Sequence, residues 1–215
     1  MKYPLIVFDW DGTLIDSAAT IVECIQQASR DMGLEVPERS RASHVIGLGL
    51  HDSLRLAVPT LAAERYSEFV ALYRSHFLER EDAMQLFPGI EELVKELHRE
   101  HLLAIATGKS RRGLDRALDA SKLGPYFAAS RCADETNAKP HPAMLHEIME
   151  ELSMNSDQVL MVGDTSHDLE MAREAGVDAL AVTYGAHPKE GLISCQPRGC
   201  VASVDELRQW LETNA

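Results

Sequence analysis

Two carboxylates separated by a single residue follow the first apolar run of the chain. Asp9 and Asp11 flank Trp10, and Gly12 directly after them permits a tight backbone turn. A carboxylate nucleophile divides one difficult hydrolysis into two easier steps. A second carboxyl group nearby can serve both steps by reversing its protonation. The pair is therefore a candidate for nucleophilic and general acid–base chemistry.

Further polar side chains stand at the ends of later apolar runs. Thr107 ends one run, Asp164 ends another with Asp168 one helical turn beyond it, and Lys139 precedes a helical pattern. In open α/β sheets, ligands bind at the carboxyl ends of the strands, so we expect these side chains to converge with the first pair. Clustered carboxylates repel one another without a cation, and oxygen-rich sites with room for water suit Mg²⁺. The sequence therefore predicts a magnesium site.

The charge balance of the chain limits its ligands. A formal net charge of −13 repels polyanions, and the chain has no basic stripe with interleaved aromatics, so we expect no nucleic-acid partner. A phosphate dianion about 4 Å from a carboxylate costs roughly 8 kcal/mol at an effective dielectric of about 20. Mg²⁺ and Lys139 together supply three positive charges against this repulsion. Thr107 and the N–H groups after it can hold the phosphoryl oxygens.

Composition favours a cytoplasmic protein. The apolar runs are strand-sized and far shorter than the roughly 20 residues that cross a bilayer, so we expect no membrane partner. The start of the chain lacks the pattern of a secretion signal. The four cysteines are scattered without CxxC spacing, which fits reduced thiols. The oligomeric state stays open.

The polar residues need a scaffold, and an alternation of strand and helix patterns supplies one. Short apolar runs predict buried parallel strands at 3–9, 102–107, 158–164 and 178–183, with a less apolar run at 126–130. Helical patterns separate them, following Gly89, Ser110 and Pro142. This alternation predicts an α/β protein with a Rossmann-like three-layer αβα core and a parallel sheet.

One segment interrupts the alternation. Residues 16–84, called here the helical insertion, contain helical patterns without a convincing strand. We expect Ser17 to cap its first helix, Gly33 to end that helix, and another helix to follow Thr60. The insertion leaves the core directly after the first strand and returns near Phe87. We therefore predict a catalytic core at residues 1–15 and 85–215, with a helical cap domain at 16–84.

The ordered motifs resemble those of a known superfamily. The four motifs are Asp9-x-Asp11-Gly12-Thr13, Thr107, Lys139-Pro140 and Gly163-Asp164-x-x-x-Asp168. Together they are similar to the four motifs of the haloacid dehalogenase superfamily and span most of the chain. The helical insertion resembles the cap of the phosphoglycolate phosphatase and β-phosphoglucomutase branch. This resemblance implies a magnesium-dependent phosphatase that acts on a small phosphomonoester through an aspartyl-phosphate intermediate.

The resemblance also implies a role for each matching residue. Asp9 would attack phosphorus, while Asp11 would protonate the leaving alcohol and then activate water. Mg²⁺ would be bound by Asp9, the backbone carbonyl of Asp11 and Asp164, with Asp168 supporting the metal waters or Lys139. The transferring phosphoryl group would be held by Thr107, Gly108 and Lys139.

The sequence leaves two alternative functions open and excludes a third. A phosphomutase would share the same core motifs, and a non-catalytic phosphate-binding module would be expected to carry a damaged motif. A phosphonate hydrolase would need a cap lysine, and residues 17–84 contain none.

Three further features near the motifs have less certain roles in the sequence. Lys109 either leans toward the phosphate or is solvated, and His167 is expected to be structural. The glycine-containing loop from His44 to Asp52 is a candidate for substrate selection.

Overall fold

The computed structural model describes residues 2–81 and 83–215. In these residues a single six-stranded sheet carries the fold. Its strands are β1 (Leu5–Phe8), β2 (Leu102–Thr107), β3 (Ala129–Cys132), β4 (Val159–Gly163), β5 (Asp178–Val182) and β6 (Gly199–Val201). Their spatial order is β3-β2-β1-β4-β5-β6, and every neighbouring pair is parallel. The predicted α/β class with a parallel sheet is confirmed.

Helices cover both faces of this sheet. They are α5 (Ile90–Leu97), α6 (Arg111–Ser121), α7 (Ala143–Leu152), α8 (Ser166–Glu174), α9 (Lys189–Ser194) and α10 (Val204–Asn214). Ile6 and Phe8 of β1 belong to the hydrophobic cluster shared with α5, α6 and α10. Leu5 and Val7 point to the opposite face and join the cluster shared with α7, α8 and α9. A strand buried on both sides reads as a continuous apolar run, as predicted.

The strand predictions differ from the structure at the two edges of the sheet, β3 and β6. β2 has the predicted bounds, and β1, β4 and β5 lie within theirs. β3 begins at Ala129 because the residues before it, Gly124–Tyr126, form a 3₁₀ turn that contains Pro125. The sequence gave no signal for β6, a three-residue edge strand that contains a glycine.

The helical insertion contains four α-helices within the described residues. They are α1 (Ala18–Asp31), α2 (Arg39–His44), α3 (Leu50–Ala57) and α4 (Tyr66–Glu81). These helices bury a hydrophobic cluster of their own. A 3₁₀ turn precedes α4, which therefore starts later than the pattern after Thr60 predicts. Gly33 follows the end of α1 in the left-handed conformation, as expected of a helix terminator.

The two ends of the insertion leave and rejoin the core side by side. Asp16 N–H donates to the carbonyl of Gln85, and Phe87 N–H donates to the carbonyl of Leu14. An isolated β-bridge joins Ile15 to Leu86. These bonds lie directly after β1, so the insertion begins beside the tip of the central strand. Among the described residues, no helix is both long enough and apolar enough to cross a membrane.

Candidate active site

The predicted site residues converge at the carboxyl ends of the central strands. Asp9 follows β1, Thr107 ends β2, and Asp164 follows β4, and all three are fully buried. The backbone N–H of Asp9 donates to the carbonyl of Val162, which ties the tips of β1 and β4 together. One carboxylate oxygen from each of Asp9, Asp164 and Asp168 lies within 4.8 Å of the others. The sheet thus gathers three acids into one buried cluster.

Lys139 is the cation inside this cluster. Its Nζ donates a 2.6 Å hydrogen bond to Asp168 Oδ1 and lies 2.8 Å from Asp9 Oδ1. The contact with Asp9 is an ion pair, and apart from it neither oxygen of Asp9 receives a hydrogen bond from the described residues. Burial alone would lower the pKa of Lys139, but Asp168 and Asp9 outweigh it and raise that pKa above its ordinary value. The amine is therefore charged.

The other two carboxylates are fixed by hydrogen bonds. Thr165 donates to Asp168 Oδ2 from its backbone N–H at 3.0 Å and from its hydroxyl at 2.7 Å. Asp164 accepts from the Thr13 hydroxyl at 2.8 Å and from the Ala186 N–H at 2.7 Å. Asp168 thus caps α8 and also binds Lys139. Thr13 lies in the first motif, whereas nothing in the sequence indicated Thr165 or Ala186 as partners.

The electrostatics of the cluster favour a bound divalent cation. Burial, together with repulsion by Asp168 and Asp164, outweighs the Lys139 ion pair and raises the pKa of Asp9 well above its usual range. Burial and the charge of Asp168 raise the pKa of Asp164 to about 7. Three carboxylates face one ammonium, and apart from that ammonium the two Asp9 oxygens have no donor among the described side chains. Oxygen-rich, negatively charged sites of this kind fit Mg²⁺.

A glycine makes room for the cluster. Gly12 has φ +81°, and a Cβ built on it would lie 2.2 Å from Asp164 Oδ2. Any side chain there would displace this carboxylate, and a left-handed φ further disfavours other residues. The glycine between Asp11 and Thr13 therefore lets the turn after β1 approach the tip of β4.

Asp11 lies apart from the acidic cluster and binds different residues. Its Oδ1 accepts a 2.7 Å hydrogen bond from the Ser17 hydroxyl. Lys109 Nζ lies 3.0 Å from Oδ1 and 3.1 Å from Oδ2. The expectation for Ser17 is wrong in part, because it occupies the N-cap position of α1 but its hydroxyl bonds Asp11 and not the helix. Lys109 is neither solvated nor directed away from the site, since only 10% of its side chain is exposed.

A cavity of about 730 Å³ opens above Asp9 and Asp11, between the core and the helical insertion. On the core side it is lined by Thr107, Gly108 and Lys109, and on the insertion side by apolar residues of α1 and α4, among them Phe77. The cavity wall also includes residues 45–52, so most of the candidate selection loop faces the site. Asp9 lines the cavity, whereas its neighbours Lys139, Asp164 and Asp168 do not.

The selection loop is packed tightly on the core at Gly108. A Cβ built on Gly108 would lie 2.6 Å from the carbonyl oxygens of Gly47 and Leu48. Gly108 was expected to hold phosphate through its backbone, and the structure places it where the core loop, the insertion and the cavity meet. Thr107 Oγ1 accepts a 3.2 Å hydrogen bond from Lys109 N–H and is fully buried.

Three histidines join the core to the insertion behind the site. The Nε2–H groups of His167 and His187 both lie within hydrogen-bond distance of the carbonyl oxygen of His44, at 2.8 and 3.1 Å. His187 Nδ1 accepts from the Ser166 N–H at 3.1 Å. Burial lowers the pKa of His167, and burial with the charge of His167 lowers that of His187 to about 4. This geometry agrees with a structural His167, and His187 was missed because no sequence pattern surrounds it.

Comparisons with known proteins agree with this architecture. Residues 6–182 match the family described as haloacid dehalogenase-like hydrolase. The chain is 35% identical to the probable phosphatase IndB of Dickeya dadantii, over 95% of this chain and 91% of that protein. It is 29% identical to the phosphoglycolate phosphatase of Aliivibrio fischeri, over 90% and 89% of the two chains. The structure of a predicted phosphatase from Clostridium acetobutylicum, 27% identical, matches 99% of this chain and 100% of its own with a TM-score of 0.86.

The chain therefore belongs to the haloacid dehalogenase-like hydrolase family. Within that family it is a phosphatase of the phosphoglycolate phosphatase-like branch. The resemblance carried by the sequence motifs is confirmed.

Proposed function

We propose that this phosphatase depends on Mg²⁺ and hydrolyses a small phosphomonoester through a phosphoryl group carried on Asp9. The observation that carries the proposal is the state of the Asp9 carboxylate. It is buried at the tip of the central strand, lines the cavity, and is contacted by one donor group among the described residues, the Lys139 ammonium at 2.8 Å. A carboxylate with so few donors is available both to a metal and to phosphorus.

Each residue of the site has a proposed task in this reaction. Asp9 attacks phosphorus, and Asp11 protonates the leaving oxygen before taking a proton from water in the second step. Lys139, the Thr107 hydroxyl and the N–H of Gly108 hold the phosphoryl oxygens. The residues that fit a magnesium ion are Asp9, the carbonyl of Asp11 and Asp164, with Asp168 holding Lys139 in place. When bound there, Mg²⁺ neutralises the negative charge that acids and phosphate share.

We assign residues 1–15 and 85–215 to the catalytic core and residues 16–84 to a cap that closes over the substrate. Support comes from the separate hydrophobic cluster of the insertion and from the cavity between the two parts. Closure would exclude bulk water from the reacting group. Equal protection of the cavity wall from hydrogen exchange, with and without a phosphate mimic, would contradict this assignment.

Phosphoglycolate is the first substrate to test, because a relative is named for it. Four free cysteines, two of them buried, support a cytoplasmic location, and the charge of the chain supports a small-molecule partner over nucleic acid. The cavity of about 730 Å³ also admits sugar phosphates.

A metabolite panel assayed with Mg²⁺ and with EDTA tests the proposed function. We expect free phosphate to be released in Mg²⁺ and not in EDTA, and the Asp9→Asn variant to release none. A phosphomutase would isomerise a sugar phosphate without releasing phosphate. Full turnover by Asp9→Asn would remove the basis of the proposal.

A further inference from the structure

We infer that Lys109 is a positioning residue that, together with Ser17, orients the carboxyl group of Asp11 for proton transfer. This inference rests on the proposed function, in which Asp11 exchanges a proton first with the leaving group and then with water. It concerns the direction in which the carboxyl group points.

The contacts around Asp11 are asymmetric. Among the described residues, Oδ1 receives the Ser17 hydroxyl at 2.7 Å and Lys109 Nζ at 3.0 Å, whereas Oδ2 receives Lys109 alone, at 3.1 Å. A carboxylate oxygen has about two lone-pair sites. Both sites of Oδ1 are therefore used, and Oδ2 keeps one for a proton. Ser17 and Lys109 thus select which oxygen of Asp11 serves as acid and base.

Lys109 is itself held in place on several sides. Its N–H donates to Thr107 Oγ1 at 3.2 Å, and its carbonyl accepts from the Ala133 N–H at 3.0 Å. Its ammonium lies 4.8 Å from the ring centroid of Phe77, a cation–π arrangement. A lysine with a fixed backbone, a covered stem and an aromatic neighbour loses the rotamer freedom of a surface lysine.

Asp11 and the residues around its carboxyl group come from four segments of the chain. Asp11 and Lys109 belong to the core loops after β1 and β2, Ser17 stands at the start of the helical insertion, and Phe77 lies on α4. The carboxyl group of Asp11 is thus aligned only while the insertion is packed on the core. The packing of the insertion on the core, which covers the cavity, therefore also fixes the orientation of the Asp11 carboxyl group.

The two lysines of the site divide the carboxylates between them. Lys139 pairs with Asp9 and Asp168, and Lys109 pairs with Asp11. The phosphoryl position beside Asp9 therefore already has a cation. Because Lys139 is the cation at that position, we assign Lys109 to the positioning of Asp11 and not to direct phosphate binding.

The test is a double-mutant cycle with Lys109→Met, Asp11→Asn and the combined variant. The substrate is p-nitrophenyl phosphate, whose leaving group needs no protonation, so residual turnover without Asp11 stays measurable. We expect Lys109→Met to lower kcat about 10- to 100-fold, which is part of the rate acceleration that general acid–base catalysis usually supplies. KM should change less than about threefold. In the Asp11→Asn background the same substitution should change kcat less than about twofold.

Controls separate positioning from loss of structure. Lys109→Arg keeps the charge and should recover part of kcat, and Lys189→Met, on an exposed lysine of α9, should match the wild type. A crystal structure of Lys109→Met should show the Asp11 carboxyl group in another rotamer.

Other outcomes would overturn the inference. A raised KM with unchanged kcat, or a full Lys109→Met effect in the Asp11→Asn background, would identify Lys109 as a substrate-binding residue. Wild-type kinetics in Lys109→Met would also refute the positioning role while the proposed function stood. A wild-type protein without magnesium-dependent phosphate release would instead refute the proposed function.

Discussion

Lys139 donates a 2.6 Å hydrogen bond to Asp168, and neither side chain is exposed to solvent. The same ammonium lies 2.8 Å from Asp9, so one buried cation serves two buried carboxylates. Removing one partner of a buried ion pair leaves an uncompensated charge, at a cost of about 3–5 kcal/mol.

The Lys139→Met variant tests this dependence. We expect its free energy of unfolding in EDTA to fall by about 3–5 kcal/mol, because Asp9 and Asp168 lose the ammonium that pairs with both of them. Mg²⁺ should restore part of the lost stability, but the variant should have no phosphatase activity with or without Mg²⁺. Urea unfolding with and without Mg²⁺ measures both effects, with Lys189→Met as the matched control. A Lys139→Met protein as stable as the control would show that the ion pair contributes nothing.

Metal binding can be measured without any substrate. A ligand that binds only the folded state raises the free energy of unfolding, by about 2.7 kcal/mol at 100 times its dissociation constant. We expect Mg²⁺ to stabilise the wild type in this way, and Asp164→Asn to abolish most of the increment because a candidate ligand loses its charge. An unchanged increment in Asp164→Asn would place the ion elsewhere.

The buried histidine His187 makes stability sensitive to acid. Burial and His167 lower its pKa from 6.5 to about 4, so the folded state holds it neutral while the unfolded state takes up a proton. This contribution is complete above about pH 6.5 and is lost as pH falls toward 4. Its size is roughly 3 kcal/mol, from about 1.36 kcal/mol per pKa unit. Between these pH values the unfolding free energy of His187→Gln should therefore fall less steeply than that of the wild type. Parallel pH curves would contradict this prediction.

The sequence predicted the convergence of these side chains because they lie at the ends of continuous apolar runs. Asp9, Thr107 and Asp164 each end such a run, and parallel strands bring their ends to one edge. The short edge strand β6 carries no comparable run, since Gly199 and Cys200 make up two of its three residues.

Partners that are distant in sequence could not be predicted in the same way. Ser17 satisfies the local rule for a helix cap, but its tertiary partner Asp11 takes the hydroxyl. His187 acts on the carbonyl of His44, 143 residues away, and no local pattern encodes that contact. Lys109 likewise reaches Asp11 across 98 residues.

The contact between Gly108 and the selection loop can be tested with a single methyl group. A Cβ at Gly108 would lie 2.6 Å from the carbonyl oxygens of Gly47 and Leu48, so Gly108→Ala must push the loop away from the core. Because that loop forms part of the cavity wall, we expect KM to rise and stability to fall by about 1–3 kcal/mol. Gly191→Ala is the matched control, since a Cβ there meets nothing within 4 Å and Gly191 lies in α9. The control should leave KM unchanged and gain about 0.4–1 kcal/mol through reduced freedom of the unfolded chain. Equal KM values in the two variants would mean that the loop does not shape the substrate site.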